Sequence, residues 1–173
     1  MTLLDRVSGL LTSSGIPHAL VGAAALAARG IARSTYDIDL LTTDHRVLAP
    51  ALWDGSLPEV VNVDVRRGDS DDPLGGVVRL LAPGERPVDI ILGKLAWQTR
   101  AVARAEAMPG GPSVILAEDL VLLKLYAGGT QDIWDIRELL RLPDAQGLIA
   151  RVSEALLDQP QAMRDLWDKA LTD

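Results

Sequence analysis

Apolar residues recur at helical spacing from the start of the chain. Leu3, Leu4, Val7, Leu10 and Leu11 predict an amphipathic helix over residues 2–14, which Gly15 ends. His18–Val21 is a short apolar strand. Gly22 turns it into the small-residue run AAALAARG, a second helix closed by Gly30. YDIDLLT, residues 36–42, reads as a strand with Asp37 and Asp39 on one face and Ile38 and Leu40 on the other. Asp44 caps a helix through about Trp53. Three further strands are expected over 59–66, 76–82 and 87–92, separated by the turn-rich DSDDPLGG and PGER. Helical patterns then dominate, over 94–102, 117–127, 130–141, 145–157 and 160–171. This order predicts a mixed α/β or α+β fold, a small sheet flanked by helices with a C-terminal helical part. One domain over 1–173 is expected, with a sheet-bearing part of about 1–108 and a helical part of about 113–173, joined near PGGP at 109–112.

Composition narrows the chemistry. The chain has 173 residues, enough to bury a core, and 48% of them are hydrophobic. Phe is absent, so Leu, Val, Ile and Ala must build that core. There is no Cys, which excludes thiolate metal sites, and there are only two His. Any bound metal is then a hard cation held by oxygen, Mg²⁺ or Mn²⁺. A net charge of −7 argues against broad nucleic-acid binding while leaving room for a local basic groove. The N-terminus carries Asp5 and no basic region, and no apolar run reaches membrane-spanning length. A cytoplasmic location with no membrane partner is the expectation.

Asp37-Ile38-Asp39 is the sharpest chemical feature. Two carboxylates at i and i+2 on a strand project together, and burying such a pair is costly unless a cation lies between them. The bland alternative is a solvated acidic edge. Asp89 adds a third acid inside the apolar VDIIL, where it needs a partner or a metal. Three carboxylates on neighbouring strands suit two-metal phosphoryl transfer; alternatively, Asp89 pairs with Arg79 or Arg86. Gly22 and Ala23 lie where a strand passes into a helix, a place where backbone amides can hold phosphate. Arg33 and Thr35 offer phosphate a cation and a hydroxyl, or are a solvated loop. Lys124, within LVLLKLY, either reaches water or meets an anion, which a triphosphate or Asp132 and Asp135 would supply. Asp132 and Asp135 are three apart and share a helix face. His18 reads as packed or surface, His45 as exposed, the four Trp as core or interface, and Asp69–Asp72 as a solvated loop. Lys94, Arg100 and Arg104 read as solvated helix charges.

The string VGAAALAARGIARSTYDIDLLT resembles the signature of the DNA polymerase β-like nucleotidyltransferase superfamily: a Gly-Gly or Gly-Ser turn, a helix, then h-D-h-D-h, with a third acid on a later strand. R-x-T-x-D-I-D resembles more narrowly the AbiEii-type toxin and minimal nucleotidyltransferases. Glu118-Asp119-Leu-Val-Leu-Leu-Lys124-Leu and Gln131-Asp132-Ile-Trp-Asp135-Ile carry the same resemblance. It spans about residues 15–140. It implies the nucleotidyltransferase fold and transfer of a nucleoside monophosphate from a nucleoside triphosphate, ATP among them, to an RNA, tRNA or protein hydroxyl. A small-molecule acceptor such as an antibiotic, or a non-catalytic binding module, is the alternative. Metal ligation then falls to Asp37, Asp39 and Asp89, and nucleotide binding to Gly22, Ala23, Arg33, Thr35 and Lys124. Asp132 and Asp135 support the pocket. A toxin-like role with a cognate antitoxin is implied as well. Ala23 departs from the signature, which has Gly or Ser there; it keeps the backbone N–H and lacks the hydroxyl.

Overall fold

The structure is a computed structural model that describes residues 1–172. It separates into two compact units. The first comprises Met1–Ala25 and Arg33–Ile115, the second Leu26–Ala32 and Leu116–Asp173. The division falls at Ile115–Leu116, beyond the expected PGGP junction, because the segment after PGGP still belongs to the sheet-bearing unit. There Val114 forms bridges with Leu20 and Glu106.

The first unit is built on a mixed five-stranded sheet of order β1-β2-β5-β4-β3. Its strands are β1 (Ala19–Leu20), β2 (Ile38–Thr42), β3 (Asn62–Arg67), β4 (Gly76–Leu81) and β5 (Val88–Leu92). β2 and β5 run parallel; the other neighbours are antiparallel. Strand alternation divides the residues into two faces. Leu40, Val78, Leu80, Val88, Ile90 and Leu92 occupy one, each fully or almost fully buried. They pack with Leu3, Val7 and Leu11 of α1 (Leu3–Ser13) and with Val47, Leu48 and Trp53. Thr2 and Asp5 close a capping box at the start of α1. The opposite face carries Asp39, Asp89, Arg79 and Asp64.

Two expected elements differ. The single helix over 44–53 is instead a 3₁₀ turn, His45–Leu48, followed by the short α3 (Pro50–Trp53). Pro50 explains the break: it has no N–H to donate and disfavours helical backbone at Ala49, which lies at φ −87°, ψ 122°. The strand expected at 59–66 begins at Asn62, because Val61 N–H donates to the Pro58 carbonyl (2.9 Å) and closes a turn. The helix α2 (Gly22–Ala27) and α4 (Ala96–Ala103) fall where the sequence places them.

In the second unit α5 (Ala117–Ala127) contacts α6 (Thr130–Leu139), α7 (Ala145–Ala155) and α8 (Gln161–Thr172). Leu120, Val121, Leu122 and Leu125 are buried around most of its circumference, as a central helix requires. Gly128, at φ +69°, ends it in the left-handed conformation that a side chain would resist. Trp53, Trp97 and Trp167 are buried, but Trp134 on α6 is 45% exposed and is not core. Among the described residues no helix is long and apolar enough to cross a membrane.

Candidate active site

Parallel pairing of β2 with β5 brings two of the three candidate acids side by side. Asp39 is the register partner of Asp89, so both side chains leave the same face of the sheet. The row continues sideways. Asp89 pairs with Arg79 on β4, and Arg79 pairs with Asp64 on β3. Charges along this row run acid, acid, base, acid.

Asp37 lies one residue before β2 and joins the row through Arg79. The Arg79 guanidinium donates from Nη1 to Asp89 Oδ2 at 3.0 Å, and its Nη2 lies 3.7 Å from Asp37 Oδ2. The other Asp37 oxygen accepts from the Thr35 hydroxyl (3.0 Å). Arg86 pins this stretch from outside, donating to the Thr35 and Asp37 carbonyls at 3.2 and 3.0 Å. Asp89 therefore takes Arg79 as its partner. Thr35 holds Asp37, and Arg33 lies half-buried in the connection ahead of it.

Two features set the electrostatics and the space of this cluster. Asp89 Oδ1 is buried and accepts no hydrogen bond, an exposure to cost that a structure seldom leaves unmet. Burial pushes the Asp89 carboxyl above its ordinary range, with Asp37 adding to the rise while Arg79 and Arg66 oppose it. Gly22 is the second feature. Its φ is +58°, and a Cβ there would fall 2.3 Å from Asp39 Oδ2. A side chain there would force either that carboxylate or the turn to move. All the donors are oxygens, and one is orphaned. That donor set fits a hard divalent cation. In this conformation the guanidinium supplies the positive charge. Among the described residues no three His, Asp or Glu side chains are gathered tightly enough to hold an ion without rearrangement.

Lys124 forms its own cluster within the second unit. Its Nζ meets Asp132 Oδ1 at 2.8 Å and Asp135 Oδ2 at 2.7 Å. Asp135 is fully buried. The other Asp132 oxygen accepts from Gly129 N–H at the start of α6 (3.1 Å). The anion for Lys124 is thus the Asp pair, on the shared helix face that their spacing implies. Ala23 is buried at the start of α2.

Three groups are more fully engaged than the sequence indicated. Arg79, the alternative partner that the sequence offered for Asp89, is the sole charged residue of GVVRLLA and reaches Asp37 as well. Lys94 donates to the carbonyls of Asp69, Ser70 and Asp72 at 3.0, 3.4 and 2.7 Å, binding the acidic loop down through its backbone. His18 lies 2.7 Å from the Ser8 hydroxyl across Nε2 and 2.9 Å from the Ile16 carbonyl across Nδ1, a satisfied pair at the edge of α1. Beside Asp89, toward β3, opens a groove of about 250 Å³ whose lining includes Arg66, Arg67, Asp72, Leu74 and Arg79.

No protein-family profile and no curated protein sequence matches the chain. Solved structures do resemble it. A Helicobacter pylori protein provisionally named a nucleotidyltransferase superposes with a TM-score of 0.54 at 17% identity, over 98% of this chain and 87% of its own. The antibiotic-resistance factor ANT(2″)-Ia, in complex with adenylyl-2″-tobramycin, does so with a TM-score of 0.55 at 16% identity, over 88% of this chain and 94% of its own. A Thermotoga maritima protein, also provisionally named a nucleotidyltransferase, gives 0.53 at 19% identity, over 80% and 90%. At such identities the likeness speaks for architecture, and it agrees with the mixed sheet and the order of its strands: the chain has the nucleotidyltransferase fold.

Proposed function

We propose that this protein moves a nucleoside monophosphate from a nucleoside triphosphate to an acceptor hydroxyl, with Asp37, Asp39 and Asp89 holding Mg²⁺ or Mn²⁺. One observation carries the reading: Asp39 and Asp89 are register partners on parallel strands, with Asp37 tied to the same face through Arg79. A bond forms between the acceptor oxygen and the α-phosphorus, the α–β bridging P–O bond breaks, and pyrophosphate leaves. The divalent cation, when bound, neutralises charge on the phosphates. The chain's own groups do the rest. Thr35 orients Asp37, and Gly22 makes room for the Asp39 carboxylate. Asp89 would complete the ion site and so help to activate the acceptor hydroxyl. The sequence resemblance supports Gly22, Ala23 and Arg33 as phosphate contacts.

The resemblance also motivates a toxin-like role, with a cognate antitoxin as partner and RNA or protein as acceptor. Incubation with each α-³²P-labelled nucleoside triphosphate and candidate acceptors tests the chemistry. Label should transfer with Mg²⁺ or Mn²⁺, and Asp39→Ala should abolish it. Transfer that survives Asp39→Ala would overturn the assignment. Induced expression tests the role: growth arrest by the wild type and none by Asp39→Ala is expected.

A non-catalytic nucleotide-binding module is the second reading. Ala23 favours it, since the turn lacks a hydroxyl for the phosphate. Calorimetry separates the two, because nucleotide binding without transfer to any acceptor supports the module.

A further inference from the structure

The two outer strands of the sheet, β1 and β3, end it in different ways. β1 has two residues, and its Leu20 also bridges Val114, so little of that edge stays open. β3 has six, paired with β4 without a bulge from Asn62 opposite Leu81 to Arg67 opposite Gly76. In such a ladder alternate residues turn their N–H and C=O groups away from the neighbour. Among the described residues no hydrogen bond from outside the β3–β4 ladder reaches the β3 backbone. We infer that this edge pairs, antiparallel, with the β3 edge of a second copy of the chain, about a two-fold axis at Val65.

Charge selects both the occupant and the register. An open edge is ordinarily guarded by proline, a bulge or charged side chains. NVDVRR has no proline, and its charges guard it only against the wrong partner. Asp64 and Arg66 are two apart, so they share the face that carries Asp89 and Arg79. They bind each other at 2.8 Å, yet their side chains remain 45% and 75% exposed. A two-fold axis normal to the sheet leaves each face on its own side, so only residues of the same face can stand opposite. An axis at Asp64 sets carboxylate against carboxylate. An axis at Arg66 sets guanidinium against guanidinium. An axis at Val65 sets Asp64 against the partner's Arg66, and Arg66 against the partner's Asp64. Opposite charges placed so stabilise a strand pair and like charges oppose it. On the other face Val65 meets its own counterpart.

Pairing of this kind closes on itself. The same patch serves both copies, which is the property of a two-fold interface. It consumes both β3 edges and leaves only the short β1 edges outside, so the assembly stops at two. Two five-stranded sheets then run on as one. Because the axis is normal to the sheet, the Asp39–Asp89 pairs of both copies open on the same side.

Sedimentation equilibrium of the full chain tests this. A dimer with a Kd of about 1–100 μM is expected, as suits a small interface, and salt should weaken it. Asp64→Arg and Arg66→Asp each turn both opposed pairs into like charges. Each should raise the Kd roughly thirtyfold, for two pairs passing from attraction to repulsion. Mixed together, the two variants should form a heterodimer of wild-type affinity, since the cations of one then face the acids of the other. The double variant Asp64→Arg/Arg66→Asp should dimerise with itself. The chain has no Cys, so single cysteines report the register without touching its charges. Val65→Cys should link two copies on mild oxidation, and Val63→Cys, which falls opposite the partner's Arg67, should not. A wild type that stays monomeric at about 500 μM would overturn the inference, and so would an edge that takes only some other protein. So would a dimer indifferent to both reversals, single variants that fail to pair when mixed, or Val65→Cys copies that do not link.

Discussion

Gly22→Ala is the substitution that asks most of the site's geometry. A methyl group at this position meets two obstacles. The backbone lies at φ +58°, where an L-residue costs about 1–2 kcal/mol. The new Cβ would also stand 2.3 Å from Asp39 Oδ2 and 3.3 Å from its Cγ, so the carboxylate or the turn must move. Overpacking of this kind costs about 1–3 kcal/mol. Gly22→Ala alone should therefore lower the unfolding free energy by about 2–5 kcal/mol. The two parts can be separated in a double-mutant cycle. Asp39→Ala removes the Oδ2 and Cγ clashes and leaves only the Asp39 Cβ at 3.5 Å, an ordinary contact. In that background Gly22→Ala should cost only the backbone part, about 1–2 kcal/mol. Urea unfolding of the four proteins, followed by far-ultraviolet circular dichroism, measures the coupling. An effect of Gly22→Ala below about 0.5 kcal/mol, or equal effects in both backgrounds, would refute the close approach of turn and carboxylate.

Three further outcomes follow from other clusters. Asp89 has its carboxyl raised in the folded state, so folded protein binds the proton more tightly than unfolded protein, and stability falls as pH rises from the ordinary carboxylate value through the folded one. Asp89→Asn should accordingly melt higher than wild type at pH 7 in the absence of divalent ions, the gap closing near pH 4 and below; a gap that widens on acidification would contradict the raised value. Lys124→Met removes the ammonium that Asp132 and the buried Asp135 share and should destabilise the helical unit by about 3–5 kcal/mol, read from amide hydrogen exchange of α5 and α6, with protection equal to wild type counting against the buried cluster. Lys94→Met should leave the melting temperature within a few degrees while speeding amide exchange and proteolysis in 68–75, and a loop as protected as before would show that the lysine does not brace it.

Much of the working face was legible in local pattern. Strand parity alone put Asp37 and Asp39 on one side, and Asp89 inside VDIIL advertised an acid in need of a partner. The pairing of residue 39 with residue 89 was not legible, because it depends on which distant strands become neighbours and in what register. Arg79 was foreseen only as an alternative partner for Asp89; its reach to Asp37 as well follows from the β4–β5 register. The helix over 44–53 failed for a local reason, since Pro50 was visible and its effect on Ala49 outweighed the cap at Asp44. Lys94 read as a solvated helix charge because its acceptors are backbone carbonyls, which leave no mark in side-chain sequence. Trp134 read as core or interface, and on α6 its position turns outward, which excludes the core.

The paired acids Asp39 and Asp89 and the loop over residues 68–75 are held by different kinds of tether. The acids hang from hydrogen-bonded parallel strands, where slipping by one residue would put Ile90 in place of Asp89. The loop is closed at its ends by backbone bonds from Gly68 to Gly75 and from Gly75 to Leu92, and its middle is fastened by the Lys94 ammonium. A library confined to residues 68–75 could therefore reshape the groove beside Asp89 while the Asp39–Asp89 pair stays where the strands put it, which makes this loop the natural place to begin redesign.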